Sequence, residues 1–210
     1  MPTSRPNPLA SLRRFATPRP VRERCELCAA DLADEHEHLV EPTARRLLCA
    51  CTPCAILFGH RSGATYRRVP RRVEELAGLR LSDLQWEAFE LPIGLAFFLH
   101  STPAGRVVAV YPSPAGATES ALPLDAWEEF VAENPPLRNL QPDVEAVLVN
   151  RTGPTRDHFR VGIDQCYRLA GIIRTHWRGF SGGTALWDEV GRFFDDLRTR
   201  AAPAGGSPHG

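Results

Sequence analysis

The chain has 210 residues, 43% hydrophobic and 24% charged, with 25 cationic and 25 acidic side chains. That composition excludes a mainly disordered polypeptide, and the length allows one large domain or two small ones. The longest apolar run, 91–99, is about half of the ~20 residues a membrane-spanning helix needs, so no membrane role is expected.

Charge is unevenly placed. Residues 1–80 hold 14 Arg against 9 acids, and residues 81–210 hold 11 Arg against 16 acids. There is no Lys at all, which reads as coding bias towards Arg, Ala and Pro before it reads as guanidinium chemistry. Residues 1–22 are Pro- and Arg-rich with no apolar stretch of the kind an export signal needs, so they read as a disordered arm of a cytoplasmic protein.

Residues 23–60 hold five of the six cysteines. Cys25-Glu-Leu-Cys28 and Cys51-Thr-Pro-Cys54 are separated by 22 residues, the spacing of a four-thiolate metal site. Each CxxC turn presents two sulfurs to one ion, while the spacer folds back to join the pairs. A strand over 45–49 and a helix starting near Cys51 complete a treble-clef-like order of knuckle, hairpin and helix. Cys49, His36 and His38 lie close enough in sequence to replace one of the four thiolates. Zinc is the expected ion, because a closed tetrahedral thiolate site suits it; a single rubredoxin-like iron is the alternative. Metal binding would replace packing in so short a segment, and a closed site offers no open position for catalysis.

Residues 61–84 read as an Arg-rich linker or short helix with Pro70 at its first turn. Residues 85–200 read as a mixed α/β layered domain in the order β-β-α-β-β-α-α, giving an α+β chain overall. Its elements are a hairpin from 87–99 and 106–111, a helix from 124–133 capped by Asp125, and strands at 144–150 and 159–163. Two helices then follow, one capped by Asp164 with Cys166, Leu169, Ala170, Ile173 and Trp177 on its apolar face. The other covers 185–199 with Trp187, Val190, Phe194 and Leu197 along a stripe. Residues 201–210 read as a disordered tail.

Elsewhere the sequence is less specific. Residues 112–120 read as a small-residue loop carrying Ser113, Thr118 and Glu119, a candidate partner or anion surface. Arg178 and Phe180 follow Trp177 in a segment whose residue types suit an interface, with Gly179 closing the preceding helix. Cys166 is expected as a small core residue, and His100 and His158 as surface or cap residues. Arg67, Arg68, Arg71 and Arg72 could face nucleic acid, but Glu74 and Glu75 follow at once and no recognition helix can be named, so nucleic acid is not favoured. No nucleophile and base pair can be named, and the reading is non-catalytic.

The runs CELC, RRLLCACTPCAILF, LPIGLAFF, YPSPAGATES, LPLDAW, PDVEAVLV and HWRGF together resemble a family of uncharacterised proteins encoded in actinobacterial gene clusters for high-affinity nickel–iron uptake hydrogenases. The resemblance runs from about Cys25 to Leu197. It implies a context, the assembly, maturation or electron supply of a hydrogenase, and it transfers no catalytic residue. Taken with the cysteine spacing, the favoured expectation is a non-catalytic zinc-binding accessory protein that docks on a hydrogenase subunit or maturation factor. An iron electron carrier and a zinc-dependent nucleic-acid-binding regulator are the competing functional expectations.

Overall fold

A computed structural model of the chain describes residues 23–59, 65–120, 122–153, 156–179 and 182–201. The expected N-terminal arm, residues 61–64 of the linker, Phe180 and residues 202–210 of the tail lie outside the described residues. The described chain is mixed α and β, with two antiparallel sheets and five α-helices.

The larger sheet has six strands: β4 (Val73–Glu75), β9 (Asp157–Gly162), β8 (Glu145–Asn150), β5 (Leu95–Ser101), β6 (Arg106–Ser113) and β7 (Gly116–Ser120), in that spatial order. Its central strand β8 is buried at every position. The reason is that both faces are covered. Ala146 and Leu148 face one core together with Leu95, Phe97, Phe159 and Val161, packed under α4 (Ile163–His176) and α5 (Thr184–Arg200). Val147 and Val149 face the other, with Ala96, Phe98, Trp127 and Phe130, under α2 (Asp83–Ala88) and α3 (Leu124–Glu133). Strands covered on both sides lose polar alternation and read as continuous apolar runs.

The smaller sheet has the order β2 (Arg46–Ala50), β1 (Glu37–Glu41), β3 (Arg67–Arg68). Leu39 and Leu48 are cross-strand partners that join a small core with Cys25, Cys54 and Ala55. On the opposite face Val40 and Leu47, also partners, pack against the large core beneath α4. The helix α1 (Thr52–Gly59) follows β2 directly.

Several expectations change. Around Pro70 there is no helix; residues 67–75 form two short strands, β3 on the small sheet and β4 at the edge of the large one. The proline therefore sits where one chain segment passes between sheets and cannot donate to either ladder. Residues 83–88 are helical, with Ser82 and Gln85 forming a reciprocal capping box, so the strand expected from 87 begins only at Leu95. The loop expected at 112–120 is a hairpin in which Tyr111 pairs with Thr118 and Ser113 with Gly116. Asp125 and Asp164 lie inside the first turns of their helices, whose cap positions are Pro123 and Gly162. In α5, Leu186 takes the buried position and Trp187 is 38% exposed.

The chain's all-Arg chemistry reappears in its interior. Among the described residues four carboxylates are buried, and each has an Arg partner: Glu37 with Arg68, Asp143 with Arg67, Glu145 with Arg160, and Asp157 with Arg198. Arg68 grips Glu37 through two nitrogens at 2.9 Å each, the fork geometry that Lys cannot supply. That contact holds the Glu37 carboxyl below its ordinary range despite burial.

Candidate metal centre

The first CxxC forms a tight knuckle. The amide of Ala29 donates to the carbonyl of Cys25 at 2.7 Å, and the amide of Cys25 donates to Ala30 at 2.8 Å. Closing so short a turn places Ala29 in the left-handed region, at φ +62°, where a Cβ is strained. Two reciprocal bonds dock the knuckle on β2: Glu26 donates its amide to the carbonyl of Cys49, and the amide of Cys49 donates to Glu26 Oε1, each at 2.9 Å.

The second CxxC uses a helix instead of a turn. Cys51 precedes α1 and its carbonyl accepts from the amide of Ala55 at 2.9 Å, so Cys51 and Cys54 both lie at the helix N-terminus. There the dipole favours negative sulfur. The four Sγ atoms lie within 4.8 Å of one another, and Cys28 and Cys51 approach to 3.6 Å. Zinc–sulfur bonds of ~2.3 Å in a tetrahedron put the sulfurs ~3.8 Å apart. A disulfide would need about 2.05 Å, and all six cysteines are free thiols. Cys25, Cys28, Cys51 and Cys54 could therefore hold a metal ion. Cys25 and Cys54 are buried against the small core, and Cys28 is exposed.

The four thiols do not ionise alike. Burial opposes ionisation of Cys25, but amide donation from Cys51, Leu27 and Cys28 outweighs it and brings the thiol down to about 6. Cys54 goes the other way, pushed up by burial and by its neighbouring sulfurs. In Cys28, donation from the amide of Ala30 is outweighed by the thiols of Cys25 and Cys51, and it too is raised. Four adjacent sulfurs cannot all carry charge without a cation among them.

Cys49, His36 and His38 do not join this set. They form a separate group whose ligand atoms also lie within 4.8 Å of one another. The register explains the separation. Cys49 pairs with His38 across β1 and β2, on the face opposite Leu48 and Ala50, and His36 precedes β1 by one residue on that same side. Burial and the nearby negative charges of Glu23 and Glu26 raise the Cys49 thiol. The His-Glu-His run between the two CxxC pairs was visible in the sequence; the register that brings Cys49 beside it was not.

A family model for a family of unknown function, DUF5947, matches residues 24–201. The chain belongs to the DUF5947 family. No curated protein and no solved structure matches it. The match spans both sheets of this DUF5947 protein, so the cysteine centre and the six-stranded sheet fall within one family unit.

The remaining candidates are held by internal contacts. Ser113 Oγ meets Gly116 O at 3.1 Å and Thr118 Oγ1 at 3.0 Å, and Glu119 pairs with Arg45 and Arg106. Glu119, Arg45, Asp143 and Tyr167 line a small cavity of about 70 Å³. Arg178 donates to the carbonyls of Thr175 and Trp177, at 3.1 and 2.8 Å, and so closes the end of α4. Gly179 has φ +62°, as a helix-terminating glycine should. Arg67, Arg68, Arg71 and Arg72 are paired with Asp143, Glu37, Glu35 and Glu74. Cys166 is fully buried in the large core, where desolvation raises its thiol well above the ordinary value. His100 and His158, expected at the surface or in caps, lie within β5 and β9.

No described helix is long and apolar enough to cross a membrane.

Proposed function

We propose that Cys25, Cys28, Cys51 and Cys54 hold one structural zinc ion in a treble-clef-like module, and that this is a non-catalytic, cytoplasmic accessory protein working through protein–protein contacts. The observation that carries this reading is the closed set of four sulfurs within 4.8 Å. Four thiolates fill a zinc coordination sphere and leave no position for substrate. Among the described residues, only Leu39, Leu48, Ala50 and Ala55 are buried in the small core besides Cys25 and Cys54 themselves, so a bound ion supplies cohesion that packing does not.

The contact function draws support from α1. Ile56, Leu57 and Phe58 are 52%, 67% and 44% exposed on consecutive positions. Contiguous exposed apolar side chains mark interaction surfaces. The partner class comes from the sequence resemblance alone: a nickel–iron hydrogenase subunit or maturation factor, whose assembly, maturation or function the protein would support. Copurification of the tagged chain with the hydrogenase proteins of its own genome tests this. The reading expects a hydrogenase subunit or maturation factor in the eluate, and much less of it with Leu57→Ser and Phe58→Ser. Absence of any such partner, or undiminished recovery with the double variant, would count against it.

A further inference from the structure

His36, His38 and Cys49 carry an inference that goes beyond the four-thiolate site and stands independently of it. The imidazole of His36 is only 7% exposed. Its Nδ1 lies 3.0 Å from the carbonyl of Ala33, which can only accept, so Nδ1 is the donor and Nε2 is the nitrogen left to face a ligand. That buried Nε2 has no hydrogen-bond partner. Its near neighbour is a carboxylate oxygen of Glu23, at 3.5 Å. A carboxylate beside that nitrogen calls for positive charge there, supplied either by a proton on Nε2 or by a metal ion held between the two.

The second imidazole is oriented in the same manner. His38 Nδ1 lies 3.5 Å from Asp164 Oδ2, at the start of α4, which leaves Nε2 as its free nitrogen. Ring nitrogens held by a backbone carbonyl or a carboxylate are how metal-ligating histidines are usually fixed. The two ring centroids are 4.7 Å apart. Cys49, the cross-strand partner of His38, brings its sulfur to the same point.

We propose that His36, His38 and Cys49 form a second metal site, taking a divalent late transition-metal ion of the zinc, cobalt or nickel class. Two imidazoles and a thiolate are a borderline-soft donor set, which selects such ions over magnesium or calcium. Glu23, whose side chain is 63% exposed, supplies an exchangeable fourth donor. The site differs from the four-thiolate set in access as well as in chemistry. His36 and His38 line a cleft of about 750 Å³ between the small sheet and the helices α4 and α5, together with Arg71, Asp164 and Arg200. Three protein ligands with a displaceable fourth beside a cleft make an exchangeable site, where the four-thiolate set makes a closed one.

The test uses the full chain with its four-thiolate site filled by one equivalent of zinc. Cobalt(II) chloride is then added, unbound ion is removed by gel filtration, and metal per chain and the visible spectrum are recorded. The proposal expects one cobalt per chain beside the zinc, with a thiolate-to-cobalt absorption. Cys49→Ser should abolish that absorption, and His36→Gln with His38→Gln should reduce retained cobalt at least tenfold while zinc stays bound. Retained zinc in each variant shows that the fold survives. Failure of the native chain to retain cobalt would overturn the proposal and leave His36 as an imidazolium paired with Glu23. So would a thiolate–cobalt absorption unchanged in Cys49→Ser, which would place the cobalt among the other four sulfurs.

Discussion

At the scale of single residues, the knuckle shows a cost accepted for geometry. Ala29 sits at φ +62° because the turn through Cys25 and Cys28 closes only there. Glycine has no penalty in that region. Ala29→Gly should therefore raise the stability of the metal-loaded protein by about 1 kcal/mol, read by denaturant unfolding. A loss of stability would contradict the strain argument. Cys166 makes the contrasting case. It is fully buried on the inner face of α4, and Cys166→Ala should cost about 1 kcal/mol by lost burial while leaving metal content unchanged. The two CxxC pairs were legible from spacing alone, because each is a local motif. What spacing could not say is that Cys49 belongs elsewhere. In a strand, alternate residues face opposite sides, and only the pairing of Cys49 with His38 decides which group it joins.

At the scale of elements, strand β9 ties the interior together. Its Arg160 pairs with the buried Glu145 of the neighbouring β8, which also accepts from the amide of Gln141 at 2.9 Å. Arg160→Met would leave that carboxylate buried without its cation, and should destabilise the protein by about 3 kcal/mol in thermal or chemical unfolding. His158 of β9 gives a pH dependence. Burial and the nearby Arg151 depress its pKa, so the unfolded chain binds the proton more readily than the folded one. Its contribution is present above the unfolded value of ~6.5 and is lost as pH falls through the lower, folded value. His158→Gln should flatten the fall in stability between neutral and mildly acid pH; an unchanged pH profile would contradict this. The strand at 144–150 and the helices at 124–133 and 163–176 were legible because their apolar patterns are long. The strands at 67–68 and 73–75 were not, since two or three residues carry no period and are fixed only by their partners β1 and β9.

At the scale of the whole molecule, the two sheets rely on different sources of cohesion. The large sheet is clamped between helices on both faces, whereas the small one rests on a minor core and on the contact of Val40 and Leu47 with the large core. Chelation should therefore loosen residues 23–59 first. Hydrogen exchange should quicken in β1 and β2 and stay slow in β5 and β8; uniform loss of protection would show that the ion supports the entire fold. The α+β character and the cysteine centre were readable in advance. The three-layer order was not, because it depends on long-range pairing of β8 with β5. The central claim is that the four cysteines hold zinc. Its most direct test is elemental analysis of metal per chain in the native protein and in Cys25→Ser with Cys28→Ser. The account predicts at least one zinc per native chain, reduced by one in the variant. Stoichiometric iron, no stoichiometric metal, or equal zinc in both proteins would contradict it.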